Sequence, residues 1–260
     1  MMPKDKKLFL LDMDGTLYLG NELFDCTLPF LHKVKENGAD YLFLTNNSSK
    51  SALSYVEKLK RLGIEAGADE FVTSVNATVT HLLSNHKDEK IYAFGTASFR
   101  RELQESGLQI VTKPEDDVSV LVIGFDTELT FEKLEHACIL LNRGVTFIAT
   151  NPDWVCPTEY GSVPDCGSVC EMLYRATGRR PKVIGKPQPD MVYMALEKMG
   201  CDPKDALLIG DRLYTDIACG NAAGIDTAFV LSGEGTLDDI EKTGIRPTYV
   251  LKNVGQIYGK

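Results

Sequence analysis

The 260-residue sequence has no long apolar run and no concentration of basic residues. No stretch approaches the roughly 18 consecutive apolar residues of a membrane-spanning helix. The N-terminal apolar run, residues 8–11, ends at Asp12 and is too short for a signal peptide. Lys and Arg number 28 against 37 Asp and Glu, a formal net charge of -9. We therefore expect no export and neither a nucleic acid nor a membrane as a partner.

The cysteines do not have the spacing of a disulfide framework or of a zinc site. The seven cysteines are odd in number and scattered, which favours reduced thiols and a cytoplasmic location. Cys156, Cys166 and Cys170 lie closest together, but no histidine follows them to complete a zinc site. We expect these three residues to be free thiols.

Short apolar strands alternate with amphipathic helices along the chain. The runs at 8–11, 41–44 and 206–209 are typical of strands buried on both faces. Helices between such strands predict a parallel sheet with crossover connections. The same alternation restarts from about residue 91. The sequence therefore predicts an α/β fold: a discontinuous Rossmann-like core of residues 1–79 and 181–260, and an inserted α/β cap of residues 80–180.

Polar residues directly follow the predicted strands at 8–11, 41–44, 183–184 and 206–209, all of which we assign to one sheet. The carboxyl ends of parallel strands share one edge, and open α/β sheets bind ligands there. For the first strand a turn is the alternative, because Asp and Gly are common turn residues. The candidate site residues are Asp12, Asp14, Thr45, Asn46, Lys186, Asp211 and Asp216.

These residue types suit the transfer of a phosphoryl group. Carboxylates placed close together repel one another, so they need a cation among them or a shared proton. Oxygen ligands without His or Cys favour a hard cation such as Mg²⁺, bound jointly with a substrate phosphate. Lys186 adds a positive charge, and Thr45 with the amides after it can bind phosphate oxygens.

Four segments resemble, in order, the motifs of the haloacid dehalogenase (HAD) superfamily. They read Asp12-Met13-Asp14-Gly15-Thr16, Thr45-Asn46-Asn47, Gly185-Lys186-Pro187 and Gly210-Asp211-Arg212-Leu213-Tyr214-Thr215-Asp216. The insert, with Thr150-Asn151-Pro152-Asp153 and residues 161–167, is similar to the large α/β cap of the NagD-like branch, which includes 4-nitrophenylphosphatases. The resemblance spans nearly the whole chain and implies a phosphatase with a HAD core and a specificity-determining cap.

The resemblance also implies catalytic roles. Asp12 would be the nucleophile that forms an aspartyl-phosphate, and Asp14 would protonate the leaving group and then deprotonate water. Mg²⁺ would be held by Asp12, the backbone carbonyl of Asp14, and Asp211. A dehalogenase needs no such proton donor, because a halide leaves unprotonated, so Asp14 argues for phosphate esters.

Four further residues complete the implied site. Thr45 and the Asn46 amide would bind phosphate oxygens, and Lys186 would bridge the phosphate and the nucleophile. Asp216 would orient the lysine or the metal-bound waters, the alternative being an ordinary exposed helix acid.

The cap is expected to recognise the leaving group, with the loop 151–167 as its most informative segment. Asp165 would either cap the following helix or face the substrate and disfavour a second anionic group. Trp154 and Tyr160 would either stack on a ring of the substrate or serve packing. Pairing of two copies through the cap, giving a homodimer, is a further alternative.

The expected activity is Mg²⁺-dependent hydrolysis of a small phosphorylated metabolite. A phosphotransferase or phosphomutase would use the same intermediate and stays open, as does the choice among nucleotide, sugar phosphate, phosphoglycolate and pyridoxal phosphate substrates. A non-catalytic binding module is the alternative from another class, against which the set Asp12, Asp14, Lys186 and Asp211 argues.

Overall fold

The structure, a computed structural model, describes residues 3–49, 52–158 and 160–259. Contacts divide the described residues into two compact units. The first contains the described parts of 1–45, 52–72 and 186–260, and the second those of 46–51 and 73–185. The predicted division at 79/80 and 180/181 differs from these limits by a few residues and stays a prediction.

Strands and helices follow one another along the chain much as the apolar pattern indicates. Their bounds are β1 Leu8–Leu11, β2 Tyr18–Leu19, β3 Glu22–Leu23, α1 Thr27–Glu36, β4 Asp40–Thr45, α2 Ala52–Arg61, β5 Phe71–Thr73, α3 Ser74–Asn85, β6 Lys90–Phe94, α4 Ala97–Glu105, β7 Gln109–Val111, β8 Val118–Ile123, α5 Phe131–Arg143, β9 Thr146–Ala149, β10 Val155–Thr158, β11 Gly161–Pro164, α6 Cys166–Thr177, β12 Lys182–Val183, α7 Asp190–Met199, β13 Ala206–Gly210, α8 Ala218–Ala222, β14 Asp226–Val230, α9 Leu237–Thr243 and β15 Tyr249–Leu251.

The central sheet of the first unit has six strands in the order β15-β14-β13-β1-β4-β5. Strand β1 pairs in parallel with β13 on one side and with β4 on the other, and all four of its residues are buried. A strand in the middle of a parallel sheet is covered on both faces by helices, which is why it carries no polar alternation. The hydrogen bond from Asp12 N to Ile209 O at 2.9 Å extends this ladder one residue further. The polar ends of β1, β4 and β13 therefore meet at one edge.

The second unit has its own parallel sheet of five strands in the order β12-β9-β8-β6-β7. Its core is formed by apolar residues of the strands and of α5 and α6, among them Leu121, Phe147, Leu140 and Leu173. A short antiparallel hairpin, β10-β11, lies within the loop 151–167, whose residue 159 is outside the described residues. We did not predict this hairpin, because its strands are short and only partly apolar.

One strand assignment from the sequence is wrong. The strand before Lys186, β12, pairs with β9 of the second sheet and not with the sheet of β1. The pairing continues beyond β12, since Ile184 N donates to Ala149 O at 3.0 Å and Gly185 N to Thr150 O at 2.8 Å. Two apolar residues cannot specify which of two parallel sheets they join. Lys186 is nevertheless placed in the first unit.

No helix within 3–49, 52–158 or 160–259 is both long enough and apolar enough to cross a membrane.

Candidate active site

Lys186 lies between two carboxylates in the first unit. Its Nζ donates to Asp12 Oδ1 at 2.6 Å, to Asp216 Oδ1 at 2.7 Å and to the backbone oxygen of Leu44 at 3.3 Å. The side chain of Lys186 is 2% exposed and that of Asp216 is 1% exposed. Hydrogen bonds between ionised groups are strengthened in such a dry environment, so the lysine fixes both carboxylates. Asp216 is therefore not the exposed helix acid that the sequence left open.

A π-helical turn, Leu213–Ile217, carries Asp216. Such turns are rare and frequently lie at functional sites. Asp216 Oδ2 accepts from the backbone N–H of Arg212 at 3.1 Å, so both carboxylate oxygens have partners. Gly210 makes room for this arrangement, because a Cβ at that position would overlap the Asp216 side chain.

Asp211 follows β13 and has one oxygen engaged and one free. Its Oδ2 accepts from the backbone N–H of Glu234 at 2.7 Å. Its Oδ1 is buried and has no hydrogen-bond partner among the described residues. A buried carboxylate oxygen without a donor is costly, so this atom marks the place of a positively charged ligand.

The carboxylates of the first unit fit a divalent cation. Asp12, Asp211 and Asp216 each offer an oxygen, and these oxygens lie within 4.8 Å of one another. An all-oxygen donor set suits a hard cation such as Mg²⁺. Gly15 and Gly233 border Asp211 so closely that a Cβ at either position would overlap its carboxylate. The backbone at these two glycines therefore packs directly against the Asp211 carboxylate.

The pKa values of the site residues show that burial disfavours the charged forms of its carboxylates. Burial raises the pKa of Asp12 well above its usual range, although Lys186 opposes the shift. Burial and the neighbouring Asp216 raise the pKa of Asp211 to about 7. Burial alone would lower the pKa of Lys186, but Asp12 and Asp216 together raise it, so the lysine stays protonated.

The side chain of Asp14 contacts groups outside this carboxylate cluster. Its Oδ1 accepts a long hydrogen bond of 3.4 Å from Gly20 N, and its Oδ2 lies 3.7 Å from Lys58 Nζ. The Asp14 side chain is 34% exposed, which allows proton exchange with solvent. Lys58 is itself held over the ring of Tyr18, 4.0 Å from its centroid.

Thr45 and Asn46 are consecutive but belong to different units. Thr45 is the last residue of β4, is buried, and adjoins the Leu44 carbonyl that Lys186 contacts. In the second unit, Asn46 Nδ2 donates to Asp153 Oδ2 at 2.8 Å, and the Asn46 backbone oxygen accepts from Ser74 Oγ at 2.7 Å.

The three candidate specificity residues of the cap differ sharply in their surroundings. Trp154 is 53% exposed and Tyr160 is 84% exposed. Asp165 is buried at the N-cap of α6, where Oδ1 accepts from Cys166 N at 2.5 Å and from Asn151 Nδ2 at 3.1 Å. Asp165 thus takes the helix-capping position considered above, and the stacking role of the two aromatic residues stays a prediction. Cys156, Cys166 and Cys170 are not joined in disulfide bonds.

Sequence reasoning missed the loop after β14, which contributes to the surroundings of Asp211. Glu234 donates its backbone N–H to this acid, Gly233 packs against it, and Ser232 Oγ donates to Gly15 O at 2.8 Å. The signal was present in the sequence: a buried strand followed by Ser232-Gly233-Glu234-Gly235 is a further polar strand end at the same edge.

Replacing Asp211 with Asn is expected to stabilise the metal-free protein at alkaline pH. The folded protein holds the Asp211 proton up to about pH 7, against 3.8 for a free carboxyl. Stability therefore falls as pH rises between these values, by up to about 4 kcal/mol. Asn removes this loss. Thermal unfolding with a chelator should give a higher Tm for the variant at pH 8 and a smaller difference at pH 5.

The opposite result, a variant less stable than the wild type at pH 8, would contradict a neutralised Asp211. Added Mg²⁺ provides the control, because it should raise the Tm of the wild type and leave that of Asp211→Asn nearly unchanged.

Gly233→Ala is expected to weaken metal binding and also to lower the Tm, because the added Cβ would lie 2.7 Å from Asp211 Cβ as well as overlapping its carboxylate. The added Cβ would displace the Asp211 carboxylate, while Gly233 has no left-handed backbone that would itself be strained. The Tm increase produced by Mg²⁺ should shift to higher concentrations by roughly 10- to 100-fold, as when an outer-shell partner of a metal ligand is lost. Ser232→Ala is the matched control, since that side chain contacts Gly15 O and no carboxylate. An unchanged Mg²⁺ titration in Gly233→Ala would show that the carboxylate position does not matter.

Comparison with known proteins places the chain in a family. A model of the haloacid dehalogenase-like hydrolases matches residues 9–109, and a HAD-hydrolase-like model matches residues 183–257. An acid sugar phosphatase from Staphylococcus aureus is 36% identical over 253 residues, covering 97% of each chain.

Solved structures agree with these matches. A 4-nitrophenylphosphatase from Thermotoga maritima is similar with a TM-score of 0.92 and 40% identity, covering 99% of this chain and 98% of that one. A glycerol phosphate phosphatase from Mycobacterium tuberculosis, solved in complex with magnesium, gives a TM-score of 0.92 and 30% identity over 99% of this chain and 78% of that one.

The chain therefore belongs to the haloacid dehalogenase-like hydrolases, as the four motifs indicated. Within them it is a phosphoric monoester hydrolase of the NagD-like, 4-nitrophenylphosphatase branch, with a Rossmann-like parallel-sheet core and a cap.

Proposed function

We propose that the protein hydrolyses small phosphate monoesters with Mg²⁺, through an aspartyl-phosphate on Asp12. The observation that carries this proposal is the buried lysine that joins two acids: Lys186 holds Asp12 Oδ1 at 2.6 Å and Asp216 Oδ1 at 2.7 Å. A nucleophilic carboxylate must be ionised and fixed in direction. The contact with Lys186 fixes the Asp12 carboxylate, and the charge of the lysine opposes the burial that raises the pKa of Asp12.

In the first step, an Asp12 oxygen attacks phosphorus as the bond between phosphorus and the ester oxygen breaks. The leaving oxygen takes a proton from Asp14, whose half-exposed side chain can exchange that proton with solvent. In the second step, Asp14 removes a proton from water. The water oxygen then attacks phosphorus, releasing inorganic phosphate and the Asp12 carboxylate.

Lys186 acts in both steps as a fixed positive charge. Its raised pKa keeps it protonated, so it stabilises the negative charge on the phosphate oxygens without giving up its proton. Asp216 holds the lysine from the opposite side and is a positioning residue. Thr45 and the Asn46 amide are the proposed donors to phosphate oxygens, as the resemblance implies.

Asp12, the backbone carbonyl of Asp14, and Asp211 are the residues that would hold Mg²⁺. When bound, the ion supplies positive charge against the nucleophile and the phosphate dianion. The unpartnered Oδ1 of Asp211 supports its place in the donor set. The geometry of the carboxylates makes Asp216 a competing ligand, although Lys186 and Arg212 N already engage both of its oxygens.

The substrate is proposed to be a small phosphorylated metabolite whose leaving group is recognised by the cap. Similarity to an acid sugar phosphatase and to a glycerol phosphate phosphatase supports sugar and polyol phosphates as the first compounds to test. Specificity roles of Trp154, Tyr160 and Asp165, a homodimer formed through the cap, and a cytoplasmic location remain predictions.

The test is phosphate release from a panel of nucleotides, sugar phosphates, glycerol phosphate, phosphoglycolate, pyridoxal phosphate and 4-nitrophenyl phosphate. Turnover should disappear with a chelator and return with Mg²⁺. Transfer of the phosphoryl group to a sugar hydroxyl, without phosphate release, would instead show a phosphotransferase or mutase. No reaction across the panel would contradict the proposal and favour a binding module.

A further inference from the structure

A buried polar network in the second unit surrounds Asn46. It is formed by side chains of the segment after β4, of the segment after β9 and of the N-cap of α6. Its members are less than a tenth exposed: Asn46, Ser48, Thr150, Asn151, Asp153 and Asp165. Polar groups removed from water in this number are tolerated only when their hydrogen bonds are made.

Asp153 is the acceptor at the centre of this network. Its Oδ2 accepts from Asn46 Nδ2 at 2.8 Å and from Asn151 Nδ2 at 2.9 Å. The backbone oxygen of Asp153 accepts from Gly167 N at 2.8 Å, which anchors the residue to the first turn of α6. A carboxylate with two amide donors on one oxygen leaves neither donor free to rotate.

Asn151 has all of its hydrogen-bonding capacity in use. One Nδ2 proton points to Asp153, and the other points to Asp165 Oδ1 at 3.1 Å. Its Oδ1 accepts from Thr150 Oγ1 at 2.7 Å. Because every donor has an acceptor, the network has one self-consistent orientation and holds Asp153 in place.

The segment 46–49 is secured to the same region at further points. Ser48 Oγ contacts Thr150 Oγ1 at 2.9 Å and accepts from Phe125 N at 2.8 Å. Thr96 Oγ1 donates to Ser49 O at 3.1 Å. These partners lie just beyond the carboxyl ends of β6, β8 and β9, where α/β sheets ordinarily bind a ligand. In the second unit, the segment 46–49 lies at this edge of the sheet.

Gly185 is packed against the same residues. A Cβ at this position would lie 2.7 Å from Asn46 Oδ1 and 2.5 Å from Thr150 O. Gly185 directly precedes Lys186, and Asn46 directly follows Thr45. The packing of Gly185 against Asn46 therefore fixes the two residues that adjoin Lys186 and Thr45 in sequence.

We propose that Asp153 is a positioning residue for phosphate binding, acting by holding Asn46 and thereby the amide that follows Thr45. This inference rests on the proposed function of Asn46. Asp153 touches no reacting atom. It fixes the direction of a donor whose placement within about 1 Å can change the rate by as much as roughly 100-fold.

A double-mutant cycle with Asn46 tests this role. Asp153→Ala removes the acceptor, and Asn46→Ala removes the side chain that uses it. Each single variant should lower kcat/KM for 4-nitrophenyl phosphate roughly 10- to 100-fold, by the cost of losing an outer-shell partner. Asp153→Ala made in the Asn46→Ala background should cost almost nothing more, because the link is already broken. Inhibition by inorganic phosphate should weaken in parallel.

The conservative variant Asp153→Asn should recover most of the activity. The two donors share a single oxygen of Asp153, and an amide oxygen placed there can accept both hydrogen bonds. A residue that merely filled space would not distinguish Asn from Ala in this way.

Asp126→Ala is the matched control. Asp126 is also a buried acid after a strand of the second unit, but it accepts from Lys133 Nζ at 2.7 Å and from Glu128 N at 2.9 Å. Its loss should lower the Tm, and any effect on kcat/KM should be the same with and without Asn46→Ala.

Each outcome has a separate meaning. An inactive wild type would contradict the proposed function. Normal kinetics of Asn46→Ala would overturn the role of Asn46 and with it this inference. Equal losses for Asp153→Ala in both backgrounds would overturn the inference alone. Should Asp153→Ala fail to fold, Asp153→Ser replaces it in the cycle, because its shorter side chain withdraws the shared acceptor oxygen; an equal loss with and without Asn46→Ala would overturn the inference.

Discussion

Asp12→Asn is expected to abolish turnover while leaving the protein folded, with kcat lowered on the order of 10⁴-fold or more, as when other enzymes lose their nucleophile. The amide oxygen can still accept from Lys186, so the Tm should change little. The amide lacks the negative charge needed to attack phosphorus. Mass spectrometry of acid-quenched wild-type enzyme should find a phosphoryl group on the peptide that carries Asp12, and none on the variant.

The control is Asp205→Asn, which replaces another buried, lysine-paired acid of the first unit. Asp205 Oδ2 lies 2.7 Å from Lys7 Nζ, and its side chain is 8% exposed. This variant should keep wild-type kinetics. Near-wild-type turnover of Asp12→Asn would remove Asp12 as the nucleophile, whatever the folding of the control.

Lys186→Met is expected to damage both activity and stability. Methionine fills a similar volume but leaves the buried Asp216 carboxylate and the half-buried Asp12 carboxylate without their shared cation. Breaking a buried ion pair costs roughly 3–5 kcal/mol. The cost should be largest at pH 8 and smaller at pH 5, because Asp12, whose pKa is already raised by burial, can bind a proton as pH falls. Unfolding curves at both pH values measure this difference.

Two further variants separate the causes. Lys7→Met removes a lysine that is 72% exposed, and its loss should change the stability little because solvent screens an exposed ion pair. Adding Asp216→Asn to Lys186→Met should restore part of the stability at pH 8 without restoring activity, since the fixed positive charge is still missing. A Lys186→Met protein as stable as the wild type at pH 8 would show that the carboxylates do not need the lysine.

The site could be predicted from the sequence where a buried strand runs directly into polar residues. Leu8–Leu11 leads to Asp12, and Ala206–Gly210 leads to Asp211, in a sheet whose order follows from parallel pairing. In such cases chain direction alone decides where the side chain emerges. The contact of Lys186 with Asp12 was expected from the resemblance to the superfamily, since the strand before Lys186 belongs to the other sheet, and it is present at 2.6 Å.

What could not be predicted depends on contacts between segments distant in sequence. The two apolar residues at β12 and directly after it, Val183 and Ile184, suit either parallel sheet, and only pairing with β9 decides between them. The donors to Asp153 lie 107 residues away at Asn46 and 2 residues away at Asn151. No local pattern in the sequence connects the first of these pairs. Backbone contacts such as that of Glu234 N with Asp211 could not be predicted either, because every residue type except proline has a backbone N–H.

Because of the π-helical turn at Leu213–Ile217, the last motif depends on the number of residues between Asp211 and Asp216 as well as on their types. A π turn holds one residue more than the α turn it replaces. Deleting one residue there would yield a more regular helix and rotate every side chain on one side of the deletion by about 100° relative to the other. Asp216 and Arg212 N would then no longer face each other. Relatives that lack this residue would have to anchor the lysine by a different acid, so an insertion or deletion here would change the site more than most substitutions.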